Sequence, residues 1–324
     1  MSTQFRVANS SFLKAQYYKI PFNIYQSGDL IEEDLYFLYQ GNYLLYKLKN
    51  LIWKNEDKAK LDEFDVQNLY VKCATETDHH RFLETRLKRI LDEQFISDVE
   101  KIEIIYNLST SSLKDLFDSP HSSEKLKRSV VTIQHSIDYL SKDKKHFFDL
   151  MKIATSQFSE FTHGLHVASY SITLARQIGI KSFNQVAPIG IAAVLHDIGK
   201  VKIPKNILEK EETLNESERA LIEKHSEFGY EIVHDARAIP TLAEDIILQH
   251  HERIDGSGYP KKNLDDITIY SQIVGLSDCF DLLTSDRPYR KALKPADAIQ
   301  ELQTTDRHRF DQELVLEFVK MLKR

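Results

Sequence analysis

Residues 186–197 read VAPIGIAAVLHD, and residues 250–260 read HHERIDGSGYP. The first stretch is apolar nearly all round, so it predicts a buried helix with His196 and Asp197 at its end. A buried aspartate beside a buried histidine is costly unless something positive binds both. A divalent metal meets that need, and the two oxygens of an aspartate can bridge two metals. Further along, ITIYSQIVGLSDCFDLLTS (267–285) predicts another buried helix. There Asp278 poses the same problem among Ile273, Val274, Leu276, Phe280, Leu282 and Leu283. For a single Asp, an ion pair with a buried Arg or Lys is the usual answer. Several such groups in one apolar region favour metal.

Working outward, TLAEDIILQHH (241–251) is amphipathic and ends in His250 and His251, and IEKHSEFGYEIV (222–233) carries the isolated His225. Asn215 with Glu218 has the form of an N-terminal capping box. DGSGYP (255–260) is a turn by composition. Residues 124–154, EKLKRSVVTIQHSIDYLSKDKKHFFDLMKIA, place Leu126, Val130, Ile133, Ile137 and Leu140 at three- and four-residue steps. They form one apolar helical stripe that packs within the chain or on a second copy of itself. Residues 1–90 differ. YYKIPFNIYQ, NYLLYKLK and NLYVKC read as short strands separated by turn residues such as Gln26-Ser27-Gly28-Asp29. LIEEDLYFLYQG (30–41) and AKLDEFDVQ (59–67) read as turns or short helices. His79-His80, in a charged stretch, reads as surface.

The bulk numbers narrow the function. With 324 residues the chain is long enough for two domains. No run of eighteen apolar residues exists, so no membrane span is expected. The N-terminus lacks the apolar core of a signal peptide, and cytoplasm is the default compartment. Cys73 and Cys279 are too few for a disulfide framework. A net charge of −6 argues against a nucleic-acid partner that needs a broad basic face, yet leaves room for a small phosphodiester ligand.

HDIGK (196–200), the isolated His225, HHERIDGSGYP (250–260) and SDCFDLLTSDRPYR (277–290) occur in the order and spacing of one family. Over roughly residues 158–322 the chain resembles the HD-GYP phosphodiesterases, which act on the bacterial second messenger cyclic di-GMP. The fold this implies is mainly α: an all-helical HD-type catalytic domain with a small N-terminal α/β domain and a helical linker. The expected boundaries are 1–90 for a regulatory domain, 91–155 for the linker and 156–324 for the catalytic domain. Resemblance assigns the metal ligands as His163, His196, Asp197, His225, His250, His251 and Asp278, with His166 left out. Some members add a third metal through a Glu one turn before the first His. Here that position is Ser159, with Glu160 beside it, so two metals are expected, iron or manganese on mixed imidazole and carboxylate ligation. A hydroxide between them is the expected nucleophile. Asp197 and Lys200 carry the catalytic expectation, Lys200 by donating to a phosphate or leaving oxygen. Lys200, Arg287, Arg290 and Tyr289 are expected to contact substrate; an ion pair to Asp281 or Asp286 is a second role for Arg287. Gly258, Tyr259 and Pro260 form a loop beside the metals that anchors partner proteins. The implied product is pGpG, with GMP as a further step. Open alternatives are another cyclic dinucleotide such as cyclic GMP-AMP, or a receptor that binds without turnover. The N-terminal domain is read as a sensory or docking module, and the 124–155 stripe motivates a homodimer.

Overall fold

The computed structural model describes residues 16–64, 66, 68–154, 160–210, 212–260, 267–286 and 291–323, without the side chains of Phe22, Lys144, Ala154 and Glu160. The chain divides into two compact units, Met1–Ser111 and Ser112–Arg324.

In the first unit, strands β1 (Gln16–Ile20), β2 (Leu35–Tyr39), β3 (Asn42–Lys47) and β4 (Leu69–Cys73) form an antiparallel sheet in the order β1-β4-β2-β3. The strand β2 corrects the expectation of a turn or short helix at LYFLY. Leu35 and Tyr36 are buried, and Gln40-Gly41 turns the chain with both residues at positive φ, the geometry of a tight two-residue hairpin. Helices α1 (Asn55–Glu63), α2 (Glu76–Glu84), α3 (Leu87–Asp92) and α4 (Asp98–Phe117) follow, and the division between the units falls inside α4. Ile20, Ile31, Leu35, Trp53, Leu69, Val71, Leu87 and Ile90 supply the core. His79 and His80 are half-buried rather than surface residues. The His79 ring stacks on Tyr18 and its Nε2 lies 3.1 Å from the Lys19 carbonyl.

The second unit is helical among its described residues. It contains α5 (Ser123–Leu140), α6 (Lys144–Ala154), α7 (Glu160–Gln177), α8 (Phe183–Leu195), a 3-10 turn (Ile198–Lys202), α9 (Lys205–Leu208) and α10 (Glu216–Glu223). It continues with α11 (His225–Ala236), α12 (Thr241–Gln249), α13 (Ile269–Thr284), α14 (Pro295–Gln303) and α15 (Gln312–Leu322). Helix α8 is the centre. Every residue from Val186 to Leu195 is buried, and α5, α7, α12 and α13 pack around it. The capping box before α10 is present as read, with Asn215 Oδ1 accepting from the Glu218 N–H at 2.9 Å.

The stripe on α5 faces α8. Leu126, Val130, Ile133 and Ile137 are buried and Leu140 is half-buried. The Ile137 side chain packs over Gly190, where a Cβ would lie 2.5 Å from its Cδ1 tip. With the stripe buried inside the unit, the motive for a homodimer through residues 124–155 is gone. No described helix is long and apolar enough to cross a membrane.

Candidate metal centre

The seven residues expected as ligands come together at helix ends around α8. His196 caps α8 and Asp197 follows it; His225 opens α11; His250 caps α12 and His251 follows; His163 projects from α7 and Asp278 from α13. His163, His196, Asp197, His225, His250 and Asp278 are each at most 6% exposed. His251 is half-buried.

Three ligand sets have donor atoms within metal-sharing distance: His225 with His250 and His251; His163 with His196 and Asp278; His196 with Asp197 and His250. Asp197 stands between them. Its Oδ1 lies 3.4 Å from His225 Nε2, and its Oδ2 lies 3.3 Å from His196 Nε2 and 3.8 Å from His163 Nε2. On the far side Asp278 Oδ1 is 3.1 Å from His163 Nε2 and 3.7 Å from His196 Nε2, and its Oδ2 is 4.0 Å from His251 Nδ1.

The histidine tautomers follow from their partners. His196 Nδ1 donates to the Ala193 carbonyl at 2.8 Å, His225 Nδ1 to Ile222 at 2.8 Å and His250 Nδ1 to Ile247 at 2.7 Å. A carbonyl only accepts, so each Nδ1 carries a hydrogen and each ring turns its Nε2 inward. These carbonyls belong to the last turns of α8, α10 and α12, where helical N–H donors run out; that of Ile222 also takes the Lys224 N–H. The same bond thus caps a helix and orients a ligand.

Those inward nitrogens fit a metal and little else. His225 Nε2 and His250 Nε2 face each other at 3.2 Å. His196 Nε2 is buried with no hydrogen-bond partner among the described residues. Burial holds His250 well below its ordinary pKa, as do the neighbouring His196 and His225; burial also pushes His225 down. Both rings therefore stay neutral, and two lone pairs meet head-on unless a cation lies between them. Burial likewise lowers His251. The carboxylates answer in the opposite sense. Asp197 is held well below the carboxylate range by Lys200 and His196 against burial, and Asp278 is brought to about 2 by His163 and His196. At His225, His250 and His251 the donors are neutral imidazoles beside ionised carboxylates, a combination that suits divalent transition metals.

Beside the centre, Lys200 places Nζ 2.6 Å from Asp197 Oδ2. It comes from the 3-10 turn that follows α8. A Cβ at Gly199 would lie 1.9 Å from the His225 carbonyl oxygen, so only glycine lets the turn press on the start of α11. The Gly258-Tyr259-Pro260 loop lies against the end of α12. A Cβ at Gly258 would meet the His251 carbonyl at 2.2 Å, and the Tyr259 N–H donates to that oxygen at 3.2 Å. The Tyr259 ring sits 4.6 Å from that of His251, and burial raises its phenol far above neutral pH. Arg287, Tyr289 and Arg290, expected at the substrate, lie outside the described residues, as does Ser159; of Glu160 only the backbone is described. Cys279 is half-buried and contributes to none of the three ligand sets.

Two residues were not expected in the site. Asp281 on α13 accepts from His163 Nδ1 at 2.7 Å and from His166 Nδ1 at 2.9 Å, and all three are buried. A signal existed in the sequence: Asp278 and Asp281 are three apart, as are His163 and His166, so each pair shares a helix face.

Histidines and aspartates gathered at the ends of helices packed on one core helix form an HD-type arrangement with clusters that could hold metal. A family model described as HD domain matches residues 134–314. The chain belongs to the HD-domain family, in its HD-GYP branch. It is 36% identical over 172 residues to a cyclic di-GMP phosphodiesterase of Pseudomonas aeruginosa, covering 53% of this chain and 41% of that protein. It is 34% identical over 182 residues to the 3′3′-cGAMP-specific phosphodiesterase 2 of Vibrio cholerae, covering 55% of this chain and 35% of that protein. The chain therefore spans less than half the length of either relative. Among solved structures, Bd1817, an HDG"Y"P protein from Bdellovibrio bacteriovorus, shares the fold, with a TM-score of 0.66 at 19% identity over 95% of this chain and 100% of that one.

Proposed function

We propose that this chain is a metal-dependent phosphodiesterase that hydrolyses cyclic di-GMP to pGpG, with GMP as a possible second product. The observation that carries the reading is the head-on pair of Nε2 atoms of His225 and His250 beside Asp197, an arrangement that asks for a cation. His163, His196, Asp197, His225, His250, His251 and Asp278 would hold two divalent ions, iron or manganese. Bound there, such a pair supplies Lewis-acid charge and a water of lowered pKa.

The side chains then have distinct tasks. The three carbonyl-tethered histidines keep their Nε2 atoms fixed, so no reorganisation accompanies binding. Lys200 is 22% exposed at the edge of the centre, where its Nζ can donate to a phosphate oxygen or to the leaving 3′ oxygen. Arg287, Arg290 and Tyr289 remain our candidates for phosphate and guanine contacts. The Gly258-Tyr259-Pro260 loop walls the His251 side and is the proposed docking point for signalling partners. We keep residues 1–90 as the regulatory domain, 91–155 as the linker and 156–324 as the catalytic domain of a cytoplasmic enzyme.

The similarity to a cGAMP-specific enzyme favours a second reading, hydrolysis of a cyclic GMP-AMP dinucleotide at the same centre. Anaerobic turnover of both nucleotides by metal-loaded protein, with products separated by chromatography, distinguishes them. Binding of cyclic di-GMP without product would instead support the receptor reading.

A further inference from the structure

His163 is held differently from the other histidines of the centre. His196, His225 and His250 each rest Nδ1 on a peptide carbonyl left over at a helix end. His163 lies inside α7, where helical N–H groups engage the carbonyls. Its Nδ1 turns instead to the Asp281 carboxylate at 2.7 Å. The other oxygen of Asp281 takes His166 Nδ1 at 2.9 Å. These histidines fix the plane of the carboxylate, with Ser285 Oγ a weaker donor at 3.4 Å to the oxygen His163 uses, and Asp278, one turn away on the same helix, meets the opposite nitrogen of His163 at 3.1 Å.

We propose that Asp281, locked by His166, is a positioning residue that sets the affinity of one metal position, the one shared by His163, His196 and Asp278, and leaves the His225–His250–His251 position independent of it. An ionised acceptor orients the ring and strengthens it as a donor more than a neutral carbonyl does; losing such a partner typically weakens metal binding about 10–100-fold. The inference rests on the metal reading above and adds an inequality between the two positions.

The test is titration of the metal-free full chain with Mn(II) in the absence of air, with free Mn(II) read by electron paramagnetic resonance. Wild type should take up two equivalents. Asp281→Asn keeps the shape but offers only one neutral acceptor. It should weaken one class of site by about 10–100-fold and leave the other unchanged. Asp281→Ala should go further, and His166→Asn should weaken the same class by less. Should the alanine variant fail to fold by circular dichroism, the asparagine variant decides. Superimposable isotherms for wild type and Asp281→Asn would overturn the proposal. Equal weakening of both classes would also do so, because it marks a merely structural role. A wild type that binds no Mn(II) would remove the metal reading itself, and this role with it.

Discussion

His225 and His250 show how little choice the centre has. Each has its Nδ1 hydrogen committed to a carbonyl and its Nε2 turned to the other. Substituting His250, which is fully buried, removes a ligand common to two of the three donor sets. His250→Ala should lower bound metal and turnover by more than the roughly 10–100-fold that outer partners cost, as read by metal analysis and kcat. His163 gives a pH prediction. Burial alone would lower it, but Asp278 and Asp281 outweigh burial and raise it to about 9 in the metal-free chain. A raised folded pKa contributes stability that is complete below the unfolded value of about 6.5 and is lost as pH rises through about 9. The melting temperature of metal-free protein should therefore fall between those limits. Metal, standing where the proton stood, should flatten the fall; an unchanged slope on loading would contradict it. The candidate ligands were readable through the resemblance to HD-GYP motifs, and the fold brings them together. Asp281 was not, since only the facing of α7 and α13 gives it two histidines.

At the scale of elements, α8 and its exit position the site. The apolar run of α8 announced its burial, whereas the 3-10 turn after it did not announce itself, because its cause is the approach of α11 to Gly199. Gly199→Ala puts a methyl 1.9 Å from the His225 carbonyl oxygen. Backbone must move, and we expect a loss of about 1–3 kcal/mol or more in denaturant unfolding, with metal uptake reduced as His225 shifts. The α5 stripe was equally visible, but its partner was not. Ile137→Ala should cost about 2–5 kcal/mol without changing the mass seen by light scattering, as expected for packing inside one unit. Strand β2 was missed because acidic residues 32–34 precede it, and a tight turn at Gln40-Gly41 was needed to pair it with β3.

Over the whole molecule, the sequence signals were uneven for a physical reason. The helical unit carries the family's motifs, so family and fold class were readable together. The N-terminal unit, a sheet with helices, holds no candidate metal cluster among its described residues. The central claim concerns the helical unit and is tested most directly by anaerobic turnover of cyclic di-GMP. Purified protein loaded with Fe(II) or Mn(II) is run beside the His196→Ala/Asp197→Ala double variant, with products separated by chromatography. The account predicts pGpG from the wild type alone. No product from loaded wild type with cyclic di-GMP, nor with cyclic GMP-AMP, would contradict it.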